Sequence, residues 1–584
     1  MSAPRLDLIL LWHMHQPDYR DADGGAFLLP WVYLHALKDY TDMAAHLERH
    51  PAVHAVVNFV PVLVEQIEDY VRQFDEGRIR DPLLGLLQQA DLDRIEPHER
   101  ALILDSCFHN NHDTMLSPYP QYRRLHEVFS LLDRGGGERF AYLSGAYLSD
   151  LLTWYHLVWI GETERRADPL FARLMAKGEG FTHGDRLLLF EAIGAILRRV
   201  LGRYRALAAR GQIELSTTPH THPIAPLLID FATARETVPA APLPAAPGYP
   251  GGAERVRVHL HAAIDAHTRC FGAPPAGLWP AEGAVSTAFL REVAAGGLRW
   301  MASSETVLSN SLNAHAPEAR VGGWLHRAWR VDAAPEVTLL FRDERLSDQI
   351  GFEYSKWHGR DAALHLVGEL EKIAASAAPG TTPTVLIALD GENAWEYYPY
   401  NGFYFFEELY GALAAHPTIR THTVSGWLDR QAAASSAAQT DHQADAQPGA
   451  QARSPGRLPA LVAGSWVLGT LSTWIGEAGK NRAWDLLCAA KQTYDEVMAS
   501  GRLTSSAAAA ARRQLATCEG SDWFWWMGPY NPDHAVERFD RLFRRNLRRL
   551  YELLGAAAPA GLDLPISAGT GHPEAGGAMR RASA

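Results

Sequence analysis

The chain repeats one unit along most of its length: a short apolar, β-branched run followed by a stretch with helical periodicity. Such runs occur at Leu6–Trp12, Val53–Phe59, Ile213–Leu215, Leu278–Trp279, Trp300–Met301, Val337–Phe341 and Val385–Leu389. Continuous apolar runs are the pattern of strands buried on both faces, as in a parallel sheet covered by its own crossover helices. Val62 to Phe74, after the second run, reads as one of those crossovers. With this many repeats the expected fold is α/β, a closed or nearly closed β/α barrel. Chemistry in such barrels gathers where the strands end. His13, His15, Asn58, Glu214, Glu282, Asp343 and Asp390 are all expected there.

At 584 residues the chain is too long for one core and is expected to form two or three domains. The barrel is assigned to residues 1–430. Between Asp81 and Arg210 the pattern turns helical, with an apolar stripe along Arg186–Ala209, and reads as an insertion at one strand–helix junction (about 81–210). Residues 431–458 are rich in Ala, Ser, Gln and Pro without apolar periodicity and read as a low-complexity loop or linker. Asn481–Ser500, Ser505–Cys518 and Asp533–Leu554 are three helical segments of a C-terminal bundle assigned to 459–555. The Gly/Ala/Pro-rich remainder, 556–584, is expected to be disordered.

A formal net charge of -12 argues against a nucleic-acid partner, which calls for a basic face. No apolar run of 18 residues exists to cross a membrane. The first apolar stretch stops at His13, too soon for a secretory signal, so a cytoplasmic location is expected. Cys107, Cys270, Cys488 and Cys518 are scattered without C-x-x-C spacing and read as reduced core thiols. The aromatics (17 Trp, 20 Tyr and 20 Phe) often sit beside polar residues, as in Asp522-Trp523-Phe524-Trp525-Trp526. Most are expected to fill the core; the rest present faces that suit sugars.

Two acids stand out. Glu282 lies in Gly-Leu-Trp-Pro-Ala-Glu-Gly and Asp390 in Val-Leu-Ile-Ala-Leu-Asp-Gly-Glu-Asn, each at the end of an apolar run. Burial after such a run should raise the pKa of Asp390 and keep it protonated, while Glu282 stays ionised. One ionised and one protonated carboxyl about 5–5.5 Å apart are the equipment of a retaining glycosidase. His13-Met14-His15 places two imidazoles on one side of a pleat. That spacing suits either a metal, as in a metal-dependent amidohydrolase or deacetylase, or a grip on sugar hydroxyls. His220 with His222 and His109 with His112 are further pairs. A non-catalytic glucan-binding protein is the third reading.

The ordered segments His13-Met14-His15-Gln16-Pro17, Gly211-Gln212-Ile213-Glu214, Trp279-Pro280-Ala281-Glu282, Leu389-Asp390-Gly391-Glu392-Asn393 and Glu519-Gly520-Ser521-Asp522-Trp523 resemble the motif regions of glycoside hydrolase family 57. Phe341-Arg342-Asp343 and Ser465-Trp466 through Trp474-Ile475-Gly476 are similar to its amylase and amylopullulanase branch. The resemblance implies an incomplete (β/α)7 barrel with a helical insertion and a C-terminal helical domain that completes the active site. It implies a retaining enzyme on α-glucans without a cofactor or catalytic metal: an α-amylase cleaving α-1,4 bonds, or a 4-α-glucanotransferase or branching enzyme using the same pair. Carried over by motif, Glu282 is the nucleophile and Asp390 the acid/base. His13 and His15 hold the sugar at the scissile bond, and Glu214 and Glu392 orient hydroxyls or the catalytic pair. Trp279, Trp395, Trp466, Asp522 and Trp525 shape neighbouring subsites.

Overall fold

The computed structural model describes residues 5–21, 24–133, 137–440 and 455–571. Seven parallel strands form the barrel: β1 (Leu6–Met14), β2 (Ala55–Phe59), β3 (Ile213–Thr217), β4 (Gly277–Leu278), β5 (Trp300–Ser304), β6 (Ala334–Arg342) and β7 (Thr384–Asp390). They pair in chain order, and β7 returns to lie against β1 over seven residues. Between β6 and β7 the ring closes through a single pair, Arg342 with Leu386. That weak seam is what makes the barrel incomplete. β4 is the shortest strand because Pro280, two residues beyond it, has no N–H to donate to a ladder. Inside the ring Ile9, Leu11, Val56, Trp279, Trp300 and Leu340 pack together at the core.

Among the described residues, three short strands sit outside the ring. Ile419–Thr421 pairs with the start of β1, and Trp329–Val331 runs antiparallel to β6 and carries Gly456–Leu458 on its far side. Between β2 and β3 lies the helical insertion, from Pro82–Gly85 to the long helix His183–Ala209. Beyond the barrel, helices Ala478–Ala499, Ser505–Cys518 and Asp533–Leu553 form the C-terminal bundle. Among the described residues, no helix is long and apolar enough to cross a membrane. The four cysteines are buried.

Two expectations about flexible segments are corrected. Helix Val424–Thr440 runs ten residues into the stretch read as a linker, and Gly456–Leu458 ends it as a strand; 441–454 lie outside the described residues. Low complexity there is alanine-rich, and alanine is the strongest helix former even without an apolar stripe. The segment 556–571 was expected to be disordered, yet it packs along helix Asp533–Leu553. Leu562 is buried with its carbonyl bonded to Arg544, and the Ile566 amide donates to Asp540 Oδ1 at 2.8 Å. Residues 572–584 of that tail lie outside the described residues.

Candidate active site

A pocket opens at the C-terminal end of the barrel, and Glu282 and Asp390 both line it, from β4 and β7 respectively. Glu282 sits just past Pro280 in a tight turn with φ 57° and ψ 24°, a left-handed conformation that a glutamate adopts only when its surroundings enforce it. Trp466 enforces it twice. Its backbone N–H donates to the Glu282 carbonyl at 3.1 Å, and its indole Nε1–H donates to Glu282 Oε2 at 2.9 Å. Behind it the antiparallel bridge Val285–Gly464 lays the 464–466 segment alongside the turn. The carboxylate is therefore aimed by a chain segment far away in sequence.

Asp390 ends β7, opposite His13 on β1. Burial drives its pKa up to about 6, only partly offset by an Asn393 Nδ2–H donated at 3.0 Å and by the nearby His15 and Arg342. Gly391 follows because the strand ends crowd here: a Cβ on it would fall 2.1 Å from the Met14 sulfur, while its N–H donates to the His13 carbonyl at 2.7 Å. Glu392 is buried, with Oε1 accepting the His15 N–H at 3.3 Å and Oε2 without a partner among the described residues. Burial, then Asp390 and Asp39, push its carboxyl well above the ordinary range.

A chain of side chains fixes the histidines. Asn58 donates its amide to Ser216 Oγ and the Thr217 carbonyl, so its oxygen accepts from His13 Nδ1 at 2.7 Å. His13 Nε2 faces His222 Nε2 at 3.2 Å, and His222 Nδ1 faces Ser521 Oγ at 2.8 Å. Burial, then His15, push His13 down to about 3, and burial holds His222 well below its ordinary value, so both rings are neutral. Two neutral rings allow one assignment: His13 carries its proton on Nδ1, His222 on Nε2, and Ser521 donates to His222. His222 lies 4.0 Å from Glu282 and adopts φ 62° in the loop after β3. His15 Nε2 bonds Asp522 Oδ1 at 2.9 Å.

The far wall comes from the C-terminal region, which places Trp466, Asp522, Trp525 and Trp526 against the pocket. Its anchor is Glu519, whose buried carboxylate accepts two bonds from Arg255, one from Tyr249 and one from His259. Arg255 and His259 stand one turn apart on helix Gly252–Phe271, so both reach the same acceptor. Two residues on, the Ser521 N–H donates to the His222 carbonyl at 2.9 Å. That register delivers Ser521 and Asp522 to the histidines.

Of the residues expected at the site, Glu282, Asp390, His13, His15, Glu392, Trp466, Asp522 and Trp525 line the pocket. Four expectations are corrected. Glu214 is the second residue of β3, not near its end, and is spent at the barrel floor on the Trp300 indole and the Ser425 backbone and hydroxyl. Trp395 is buried against Trp12 and Phe406 with its indole on the Gly391 carbonyl, supporting the Asp390 loop from behind. Trp279 is fully buried below the pocket, its ring against Trp466 at 5.2 Å. Asp343 likewise turns away to His326 and the helix start at Leu346, so its neighbour Arg342 faces the pocket. Successive side chains along extended backbone alternate sides, so Arg342 and Asp343 point in opposite directions. His220 bonds Glu65, and His109 and His112 line a separate cleft. Arg342, Asn393 and Ser521 have no role assigned from sequence although each lies inside a quoted motif, and Asn58 is expected there only at a strand end.

His15, His222 and Asp522 bring donor atoms within 4.8 Å of one another, the spacing a metal would need. Yet the rings of His15 and His222 stack face to face at 3.8 Å with 22° between planes. An imidazole lone pair lies in its ring plane, so one ion cannot serve two nearly parallel rings at coordination distance. Both His222 nitrogens are moreover taken by His13 and Ser521. The donor set does not fit a metal in this arrangement.

Solved structures with this architecture include a family 57 branching enzyme from Thermococcus kodakaraensis, with a TM-score of 0.56 at 15% identity over 94% of this chain and 89% of that one. A branching enzyme from Pyrococcus horikoshii gives 0.53 at 15% identity over 96% of each chain, and the α-amylase AmyC from Thermotoga maritima 0.53 at 10% over 94% and 93%. At these identities the likeness is one of fold. Comparison with curated proteins finds no match. The family model described as glycosyl hydrolase family 57 matches residues 9–436, most of the barrel and every one of its strands, and the chain belongs to that family.

Proposed function

We propose that the protein is a retaining enzyme of α-glucans that cleaves α-1,4-glucosidic bonds through a covalent glycosyl intermediate. The observation carrying this reading is one pocket lined by two acids in opposite environments. Glu282 accepts an indole N–H, which favours its charged form, while Asp390 is held up to about 6 by burial. In the first step a Glu282 oxygen attacks the anomeric carbon as the glycosidic C–O bond breaks. The Asp390 proton passes to the leaving oxygen. In the second, Asp390 takes a proton from the incoming water or glucan hydroxyl, whose oxygen displaces Glu282. His15, whose Nδ1 has no partner among the described residues, and Asp522 grip hydroxyls of the sugar undergoing cleavage, while His13, with both nitrogens committed to Asn58 and His222, holds His222 in place behind them.

Hydrolysis and transfer share the intermediate and differ only in which acceptor reaches it. Chromatography of products from maltopentaose tests both levels. Shorter sugars alone mean the hydrolytic α-amylase activity we favour, and a ladder above the starting length means a 4-α-glucanotransferase or branching activity. Glu282→Ala and Asp390→Ala should each cut turnover by at least ~10³-fold with the fold intact. Azide should rescue the Glu282 variant with an inverted product. Near-normal turnover by Glu282→Ala sinks the proposal.

A further inference from the structure

A cavity of about 470 Å³ lies at the floor of the barrel, where the strands begin. Leu6 of β1 lines it, and His13, seven residues along the same strand, lines the pocket of Glu282 and Asp390. At ~3.3 Å per residue the two spaces lie roughly 23 Å apart, at opposite ends of the barrel. Three elements supply much of the wall, each through one face. Thr418, Arg420 and His422 alternate along strand Ile419–Thr421 and its flanks, as Thr382 and Thr384 do at the start of β7. On helix Val424–Thr440, Trp427, Arg430, Gln431 and Ala434 follow the i, i+3, i+4, i+7 spacing of a single stripe. Ala433 and Ala434 leave open the space that longer side chains would fill.

Charge sets this cavity apart. The chain carries 67 acidic against 55 basic residues, yet among the described residues lining the cavity four arginines face one carboxylate. That carboxylate, Asp7, is already engaged: His422 Nε2 bonds its Oδ1 at 2.9 Å, and the Trp427 indole donates to its Oδ2 at 3.0 Å. Arg5, Arg420 and Arg430 form no ion pair or side-chain hydrogen bond among the described residues. The positive field reaches His54, whose pKa burial lowers first and His422 and Arg430 lower further. Like charges gathered around one space without a counter-ion repel each other, and an anion that enters relieves the repulsion. Guanidinium forks match pairs of phosphate oxygens, and the threonine hydroxyls add neutral donors. The volume falls within the range of small-molecule pockets, about 300–1,000 Å³. We infer that this cavity binds a small phosphate-bearing ligand, held by Arg5, Arg420 and Arg430, at a site separate from the pocket of Glu282 and Asp390.

Calorimetric titration of the full chain with glucose 6-phosphate, inorganic phosphate and glucose tests it, and needs no turnover. At least one of the two phosphates should bind with a Kd of about 1 mM or tighter at about 50 mM salt, and more weakly as salt rises. Arg420→Gln combined with Arg430→Gln should weaken that binding at least tenfold. Arg94→Gln, which removes an exposed arginine of the helical insertion, should leave it unchanged. Any glucose binding should be the same in wild type and double variant. Arg420 and Arg430 are both exposed, so the double variant should melt with the wild type, which excludes misfolding as the cause. Glucose 6-phosphate at least tenfold tighter than inorganic phosphate makes the ligand a sugar phosphate; equal affinities make it free phosphate, and both bear out the site. No binding of either phosphate up to about 10 mM, binding that the double variant keeps, or equal weakening by Arg94→Gln overturns it. So does binding that appears only after Asp441→Ala with Asp445→Ala. The chain's own carboxylates, next in sequence after the helix that forms the wall, would then be the occupant.

Discussion

At the scale of single residues, the proposed mechanism sets two carboxyls against each other. It needs Asp390 protonated, so kcat/KM should fall as pH rises through about 6, the value burial gives this acid. Asn393 opposes that rise by donating to the charged form, so Asn393→Ala should move the alkaline limb of the pH profile upward; a downward move contradicts the assignment. The raised pKa is also a stability cost. Ionised Asp390 is disfavoured in the fold, so the cost is absent below the unfolded value near 4 and complete above about 6. Asp390→Asn removes it: turnover is lost, while Tm rises at pH 8 and not at pH 4. The gain is at most about 3 kcal/mol, because the carboxyl faces the pocket solvent. Trp466→Phe keeps a ring against Trp279 but deletes the N–H on Glu282. Losing a hydrogen bond to a charged group costs about 1.5–3 kcal/mol, so kcat should drop roughly ten- to a hundredfold.

At the scale of elements, helix Gly252–Phe271 and the Glu519 segment act as one latch. Glu519→Ala strands the Arg255 charge in the core, and breaking a buried pair from one side costs about 3–5 kcal/mol. The variant should melt at lower temperature. Its activity should fall as well, because Ser521 and Asp522 lose the register that brings them to His222 and His15. Arg255 holds the Glu519 carboxyl far below the ordinary carboxylate range. A depressed folded pKa contributes stability above the unfolded value near 4 that is lost on acidification, so the wild-type advantage in Tm should narrow below pH 4. A wild-type advantage that is the same at pH 3 and pH 7 argues against the latch. The strands themselves were legible in sequence, since continuous β-branched runs have few other uses. The helix through 431–440 was not, because its alanines carry no stripe to read.

At the scale of the whole molecule, a barrel and a helical region some hundred or more residues later jointly build one pocket. The net charge of -12 bears on what that pocket takes. A neutral glucan gains nothing from long-range steering, so kcat/KM on maltoheptaose should change less than about twofold between 50 and 500 mM salt. A steep dependence on salt indicates a charged substrate instead. Read alone, the sequence determined the barrel, its insertion and bundle, and the two acids, because strand runs and short motifs are local and a strand end is a rigid platform. Which side chains meet was decided only by tertiary structure. Glu214, Trp279 and Trp395 keep their motif neighbours yet turn into the core or the barrel floor, while Trp466 and Ser521 cross from the C-terminal region to hold Glu282 and His222. The reason is geometric: a motif records what is adjacent along the chain, and the direction of a side chain depends on strand register and on which distant segment packs against it.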